Sequence, residues 1–295
     1  MIGPRRRSGG PFRWRRRPPG GLTPRRALIL GSVQGPTELL PVSSSAHLSL
    51  LPWFAGWRLD GFEPRSRKDF EVALHAGTAA ALLLGQRRAI VDELRRLDPA
   101  RAVAVGLSAA LPAAIGFALE RPIERLLGGP RTIATGLVAG SAAIVVADRR
   151  PRERGPADVN AGDGLALGAA QAVALFPGVS RAGATIAAAR WRRFTRSEAN
   201  LLSRTVAVPV ILGATVLRAA RMRRRGITPP LRRVLAAGAG ASFASTLASQ
   251  GLVSVLDRER SPWPYAAYRV ALAGAVIFKL RRASVHGVPA GRPQK

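Results

Sequence analysis

Cysteine is absent from this chain of 295 residues, which excludes disulfides, thiolate metal sites and a cysteine nucleophile. Histidine is nearly absent too: only His47, His75 and His286 are available for proton transfer near neutrality. Acidic side chains are outnumbered, 17 Asp and Glu against 46 Lys and Arg, for a net charge of +29. Such a balance ordinarily points to nucleic acid. No RNA- or DNA-binding motif accompanies it, however, and the arginines gather in the connections between apolar runs. Nucleic acid is not expected as a partner.

What the chain has in quantity is apolar sequence, 47% of its residues, and it is clumped. Residues 102–119, 132–147, 164–180, 205–217 and 234–256 carry no charge. A run of about 20 apolar residues crosses a bilayer, and a soluble bundle would hide one such helix rather than five. The expected class is an all-α polytopic membrane protein. By the positive-inside rule, the basic connections 86–101, 148–154 and 218–225 are expected in the cytoplasm, with 120–131 and 257–263 outside. The basic stretch 190–196 fits neither group. The first 21 residues hold seven arginines with Gly and Pro and no apolar run, as a disordered basic tail drawn to anionic lipid would. The first apolar stretch leads on without a cleavage-type site, so a signal peptide is not expected. A single membrane domain over 22–280 and a polar tail over 281–295 complete the expected organisation.

Two polar stretches interrupt this apolar chain, QGPTELLPVSSSAH at 34–47 and PGVSRAGAT at 177–185. Ionisable groups at membrane depth are costly and mark function by default. The apolar pieces around them, 22–34, 43–56 and 183–191, are too short to span and contain Pro and Gly. Irregular backbone survives at that depth only when buried in protein or lining a wet cavity, so two re-entrant helix hairpins are expected. The regions also match each other: Gly31 with Gly168, Gln34 with Gln171, Val42 with Val179 and Ser43 with Ser180. Interrupted segments in two corresponding halves point to an inverted-topology repeat around a midplane site. The halves would be about 22–147 and 161–280.

The residue types suggest phosphate chemistry. Arg181 is permanently charged and pairs bidentately with phosphate oxygens. Ser180 and Thr185 flank it with hydroxyls, and Gly178 and Gly183 let backbone amides approach a ligand. The plainer alternative is an arginine snorkelling to the interface. The first stretch sets Glu38 and His47 nine residues apart around Pro41, with Ser43, Ser44 and Ser45 between. A serine near an imidazole can be activated as a nucleophile, and a carboxylate can orient the base or help hold a metal. A serine-rich helix cap is the plainer reading of that stretch alone. His75, in FEVALHAGT, is expected either beside the site or as a hydrogen-bonded bundle residue, while His286 belongs to the polar tail.

QGPTELLPVSSSAH taken with PGVSRAGAT resembles the undecaprenyl-diphosphate phosphatase family of the bacitracin-resistance type. The likeness extends over about 22–280, through FEVALHAGTAAALLL and AVPVILGAT. It implies hydrolysis of a C55 isoprenyl diphosphate to the monophosphate carrier lipid of cell-wall synthesis, and with it bacitracin resistance. It also implies an interdigitated inverted-repeat fold in the bacterial plasma membrane and a site opening toward the outer face. A divalent cation, Mg²⁺ or Ca²⁺, is implied as cofactor; a homodimer is left open. By position, Glu38, Ser44, His47 and Arg181 match the family's catalytic residues. Ser43, Ser180, Thr185, Gly178 and Gly183 would bind substrate, and Glu38 with Gln34 would hold the metal.

The chain departs from the family pattern at Gln34, where many members have Glu, and at Ala46 and Ala182, where Gly and Ser are usual. Leu201 and Arg204 stand where aromatics are common. On this reading Arg181 and a cation hold the diphosphate, His47 manages the proton, and either Ser44 or water attacks the terminal phosphorus. Two rivals are weaker. Lipid phosphatases with PSGH and SRxxxxxHxxxD motifs need a second His soon after the SR, and none lies between Arg181 and His286. A polyprenyl-phosphate transporter or flippase would share the repeat architecture, but transport alone needs no Ser, His and Glu together.

Overall fold

The computed structural model describes residues 21–59, 62–85, 87–95, 98–251 and 261–285. Nearly all of the basic N-terminal tail, His286 and the rest of the C-terminal tail lie outside the described residues. The described chain is helical, and its one β-feature is an isolated bridge between Arg154 and Phe194. Helix α1 (Pro24–Leu39) starts at a Thr23 cap that accepts from the Arg26 amide, with proline in its first turn. A turn through Pro41 leads to α2 (Ser44–Phe54), followed by α3 (Pro64–Gly85) and α4 (Arg87–Arg95). Then come α5 (Pro99–Leu127), α6 (Pro130–Asp148), α7 (Ala161–Val173), α8 (Arg181–Trp191), α9 (Arg196–Arg225) and α10 (Pro229–Ala248). The last, α11 (Trp263–Val285), runs beyond residue 280 into the stretch expected to be tail.

Among the described residues three helical stretches are long and apolar enough to cross a bilayer, Pro99–Leu119, Pro130–Asp148 and Arg196–Arg225. They leave most of their side chains uncovered by protein, as lipid-facing helices do. The chain is an all-α polytopic membrane protein. The two polar stretches sit in short helix pairs, α1 with α2 and α7 with α8. These helices have 16, 11, 13 and 11 residues, and at about 1.5 Å per residue none approaches the roughly 30 Å of a hydrocarbon core.

Helix boundaries recur at one spacing of 137 residues: Pro24 and Ala161, Ser44 and Arg181, Phe54 and Trp191, Asp148 and Val285. The packing partners recur as well. Helix α1 lies along α10 and α7 lies along α5, so each short pair packs on a helix of the other half. Glycine permits the first contact: a Cβ on Gly31 would stand 2.5 Å from the carbonyl oxygen of Gly238.

Helix α9 corrects the charge-based topology. Its first residue, Arg196, pairs with Asp148 at the end of α6, while Arg218 near its other end pairs with Asp69 at 2.8 Å. A continuous 30-residue helix separates its ends by about 45 Å. The basic segments 148–154 and 218–225 therefore lie at opposite ends of the molecule, not on one side. The segment 190–196 falls into place beside 148–154. The Glu153 and Arg154 amides donate to the Arg193 carbonyl, and Arg190 donates to the carbonyls of Asp148 and Arg150. Nearby, Asp163 at the start of α7 accepts from Arg154 at 2.7 Å and Arg192 at 2.6 Å. Burial pushes its carboxyl up, but those hydrogen bonds outweigh it and hold the group below its ordinary range.

Candidate active site

The turn after α1 and the turn before α8 meet at Glu38. Its carboxylate accepts from Arg181 Nη2 at 2.5 Å through Oε1 and from the Ser44 hydroxyl at 2.6 Å through Oε2. Gln34, one helical turn before Glu38, donates to Oε2 at 3.2 Å. His75 on α3 brings Nδ1 to 3.3 Å from the Gln34 amide nitrogen and 3.7 Å from Glu38 Oε2. The side chain of Glu38 is 6% exposed and that of Arg181 22%, so the pair is largely withdrawn from solvent. A charge so enclosed persists because its partner is in contact.

Two expected neighbours prove to be separated in role. Glu38 orients Ser44 rather than His47. The imidazole is held from elsewhere: Nδ1 stands 2.8 Å from the Ser43 carbonyl oxygen, and Nε2 stands 2.6 Å from the Tyr268 hydroxyl. A carbonyl can only accept, so Nδ1 carries the hydrogen. The neutral ring then presents the Nε2 lone pair to the tyrosine proton. Ser43 adopts φ 75° at the start of α2, a left-handed conformation unusual for a non-glycine residue.

The remaining candidates divide. Ser180 caps α8, its hydroxyl accepting from the Gly183 amide at 3.2 Å. Thr185 is enclosed, hydrogen-bonded to Ser203 at 2.6 Å and to the Arg181 carbonyl at 2.9 Å, and so joins α8 to α9. Gly178 has φ 92°, and a Cβ there would stand 2.2 Å from the Ile133 carbonyl oxygen. Its glycine is required by the turn and by the approach to α6. A Cβ on Gly183 would meet Arg269 Nη1 at 3.0 Å.

Arg269 and Tyr268, adjacent on α11, were not singled out from sequence. Arg269 is fully buried and donates to the carbonyls of Pro41 at 3.3 Å, Gly178 at 3.2 Å and Gly136 at 3.4 Å. It thereby ties both turns to α6. An arginine within the apolar run 264–280 was the available signal, since a charge at that depth needs a reason.

Which residues could hold a divalent cation follows from the donors present. Gln34 Oε1 is buried and has no hydrogen-bond partner, an unclaimed oxygen on the residue next to the Glu38 carboxylate. Among the described residues no cluster of three His, Asp or Glu exists. One carboxylate plus one amide oxygen suits Mg²⁺ or Ca²⁺ when phosphate oxygens and water complete the shell.

The family profile described as bacitracin resistance protein BacA matches residues 27–275. A protein of Geobacter sulfurreducens named undecaprenyl-diphosphatase is 38% identical over 267 residues, covering 86% of this chain and 97% of its own. One of the same name from Geobacter metallireducens is 37% identical over 271 residues, covering 87% and 98%. Another, from Moorella thermoacetica, is 36% identical over 274 residues, covering 88% and 100%. With both polar turns inside the matched region, the chain belongs to the bacitracin resistance protein BacA family.

Proposed function

We propose that this chain is an undecaprenyl-diphosphate phosphatase, releasing phosphate from the lipid diphosphate and leaving the monophosphate carrier. The observation that carries the reading is the contact of Glu38 with both Ser44 and Arg181, which puts a nucleophile type, an acid–base group and a phosphate-binding cation in one enclosure. Membership of the family and the names of its relatives supply the substrate.

The chemistry assigns each side chain a task. Arg181 exchanges Glu38 for the oxygens of the terminal phosphate and neutralises charge in the transition state. The Ser44 hydroxyl proton passes to Glu38 Oε2, its present acceptor, and the freed oxygen forms a bond to the terminal phosphorus. The bond from that phosphorus to the bridging oxygen breaks, and the lipid monophosphate departs. Water then forms a bond to that phosphorus, with His47 Nε2 taking its proton; the bond from phosphorus to the serine oxygen breaks, and Glu38 returns its proton to that oxygen as phosphate is released. Glu38 and Gln34 would hold a divalent cation, which when bound supplies charge neutralisation at the diphosphate. The inverted repeat with two re-entrant hairpins is supported by the common spacing of 137 residues and by the crossed packing of α1 on α10 and α7 on α5.

Purified protein and its Ser44→Ala, His47→Ala and Arg181→Ala variants, assayed for phosphate release from a long-chain prenyl diphosphate, test the reading. Full activity in the His47 or Arg181 variant overturns it; full activity in the Ser44 variant overturns the covalent step and leaves direct attack by water. We place the protein in the bacterial plasma membrane with the site open to the outer face, carried over from the family resemblance. Because the chain has no cysteine, a cysteine at the exposed Ser45 reports this directly. It should react with a membrane-impermeant maleimide added outside intact cells, and protection there reverses the orientation.

A further inference from the structure

Tyr268 lies 221 residues from His47 in sequence and belongs to neither polar stretch. It is one of only two tyrosines in the chain. Its hydroxyl is 2.6 Å from His47 Nε2, and its ring lies within 5° of parallel to the imidazole at a centroid separation of 5.7 Å. Because Nδ1 is committed to the Ser43 carbonyl, the tyrosine meets the one nitrogen that can accept a proton. Arg269, the next residue, fixes that stretch of α11 through the carbonyls of Pro41, Gly178 and Gly136. The tyrosine is thus carried on backbone anchored to both turns of the site, while the residue itself stays 47% exposed.

We propose that Tyr268 is the positioning residue of His47: it holds the imidazole in one tautomer and one rotation, with the basic nitrogen turned to the tyrosine hydroxyl. The inference rests on the reading of His47 as the proton carrier. Two hydrogen bonds and one ring contact limit the imidazole. The Ser43 carbonyl fixes which nitrogen is protonated, the hydroxyl fixes where the lone pair points, and the parallel stack opposes rotation about the Cβ–Cγ bond. No metal ligand or phosphate contact is needed for the effect, so the tyrosine acts on turnover rather than on substrate capture. To take a proton, Nε2 gives up the tyrosine hydrogen and receives the proton of the attacking water. The tyrosine keeps its own proton throughout, so nothing is consumed.

Three variants in two backgrounds test this. Tyr268→Phe removes the hydroxyl and keeps the stack, Tyr268→Ala removes both, and Tyr268→Phe is repeated with His47→Ala. Assays use a long-chain prenyl diphosphate in detergent, with thermal midpoints measured in parallel. Tyr268→Phe is expected to lower kcat roughly tenfold, a fraction of the roughly 10²–10⁴ that acid–base catalysis supplies, with KM within about twofold and an unchanged midpoint. It should move the acid limb of the kcat–pH profile, which a purely structural contact would leave in place. Combined with His47→Ala, it should change the residual kcat by less than about twofold, because coupled residues are non-additive. Tyr268→Ala should cost more than Tyr268→Phe. A wild-type kcat in Tyr268→Phe, an unmoved acid limb, or an equal loss in both backgrounds overturns the inference. A fully active His47→Ala variant overturns instead the reading on which it rests.

Discussion

Glu38 and Arg181 stand 143 residues apart in sequence and 2.5 Å apart in space, and this single contact joins the two polar turns into one site. Removing either partner leaves the other charge enclosed without compensation, which costs about 3–5 kcal/mol in a buried pair. Glu38→Gln keeps the shape and removes both the counter-charge and the proton acceptor of Ser44. Phosphate release by this variant is expected to fall by about 10²–10⁴-fold. Arg181→Lys keeps the charge but loses the forked donor geometry, and its kcat/KM should fall while Arg181→Ala falls further. Assays on both residues with one substrate check the order.

Gln34→Glu should strengthen metal dependence. A second carboxylate beside Glu38 raises the ligand charge that sets divalent-cation affinity, and without a cation the like charges repel. The thermal midpoint in chelator is expected to drop below that of the parent, and added Mg²⁺ should raise it more than it raises the parent's. A thermal titration with Mg²⁺ reads this without reference to activity. Equal shifts in both proteins would place the cation elsewhere.

Acid stability should depend on Asp163. Its folded carboxyl titrates below the ordinary value because Arg154 and Arg192 outweigh the effect of burial. A depressed carboxyl contributes stability above its unfolded pKa of about 3.9, and the contribution is lost as pH falls through the folded value. The thermal midpoint of Asp163→Asn should lie furthest below the parent's above about pH 5, and the gap should close toward about pH 3. Melting curves across that range decide it.

Two glycines should respond oppositely to alanine. At Gly178 a methyl would sit 2.2 Å from the Ile133 carbonyl oxygen with φ at 92°, so Gly178→Ala should lower the thermal midpoint and disturb the turn that carries Arg181. At Gly106, within α5, nothing lies within 4 Å of the added carbon. Helix propensity then favours alanine by up to about 1 kcal/mol, and the midpoint should hold or rise.

Much of the site was readable from sequence because a few polar residues stand out in an apolar chain. Glu38, Ser44 and Arg181 converge as their motifs suggest, and His75 reaches the Gln34–Glu38 pair. The partner of His47 was not readable, since Tyr268 arrives on a helix 221 residues away. Nor was the role of Thr185, whose hydroxyl is turned to Ser203 by the packing of α8 on α9. The class of fold followed from the charge-free runs. The sidedness of the loops did not, because charge counts per loop are blind to α9 continuing through Pro209 from one end of the molecule to the other.

The Glu38–Arg181 pair also bears on how the protein lets its product go. Arg181 does not wait empty; a carboxylate already occupies it. Any phosphate must displace that resident anion, so its capture is an exchange whose free energy is a difference between two anions. In that exchange a diphosphate end group, with more charge than a monophosphate, would compete better. On the proposed mechanism the carboxylate would be a competitor tethered at high effective concentration, returning to the guanidinium as inorganic phosphate leaves.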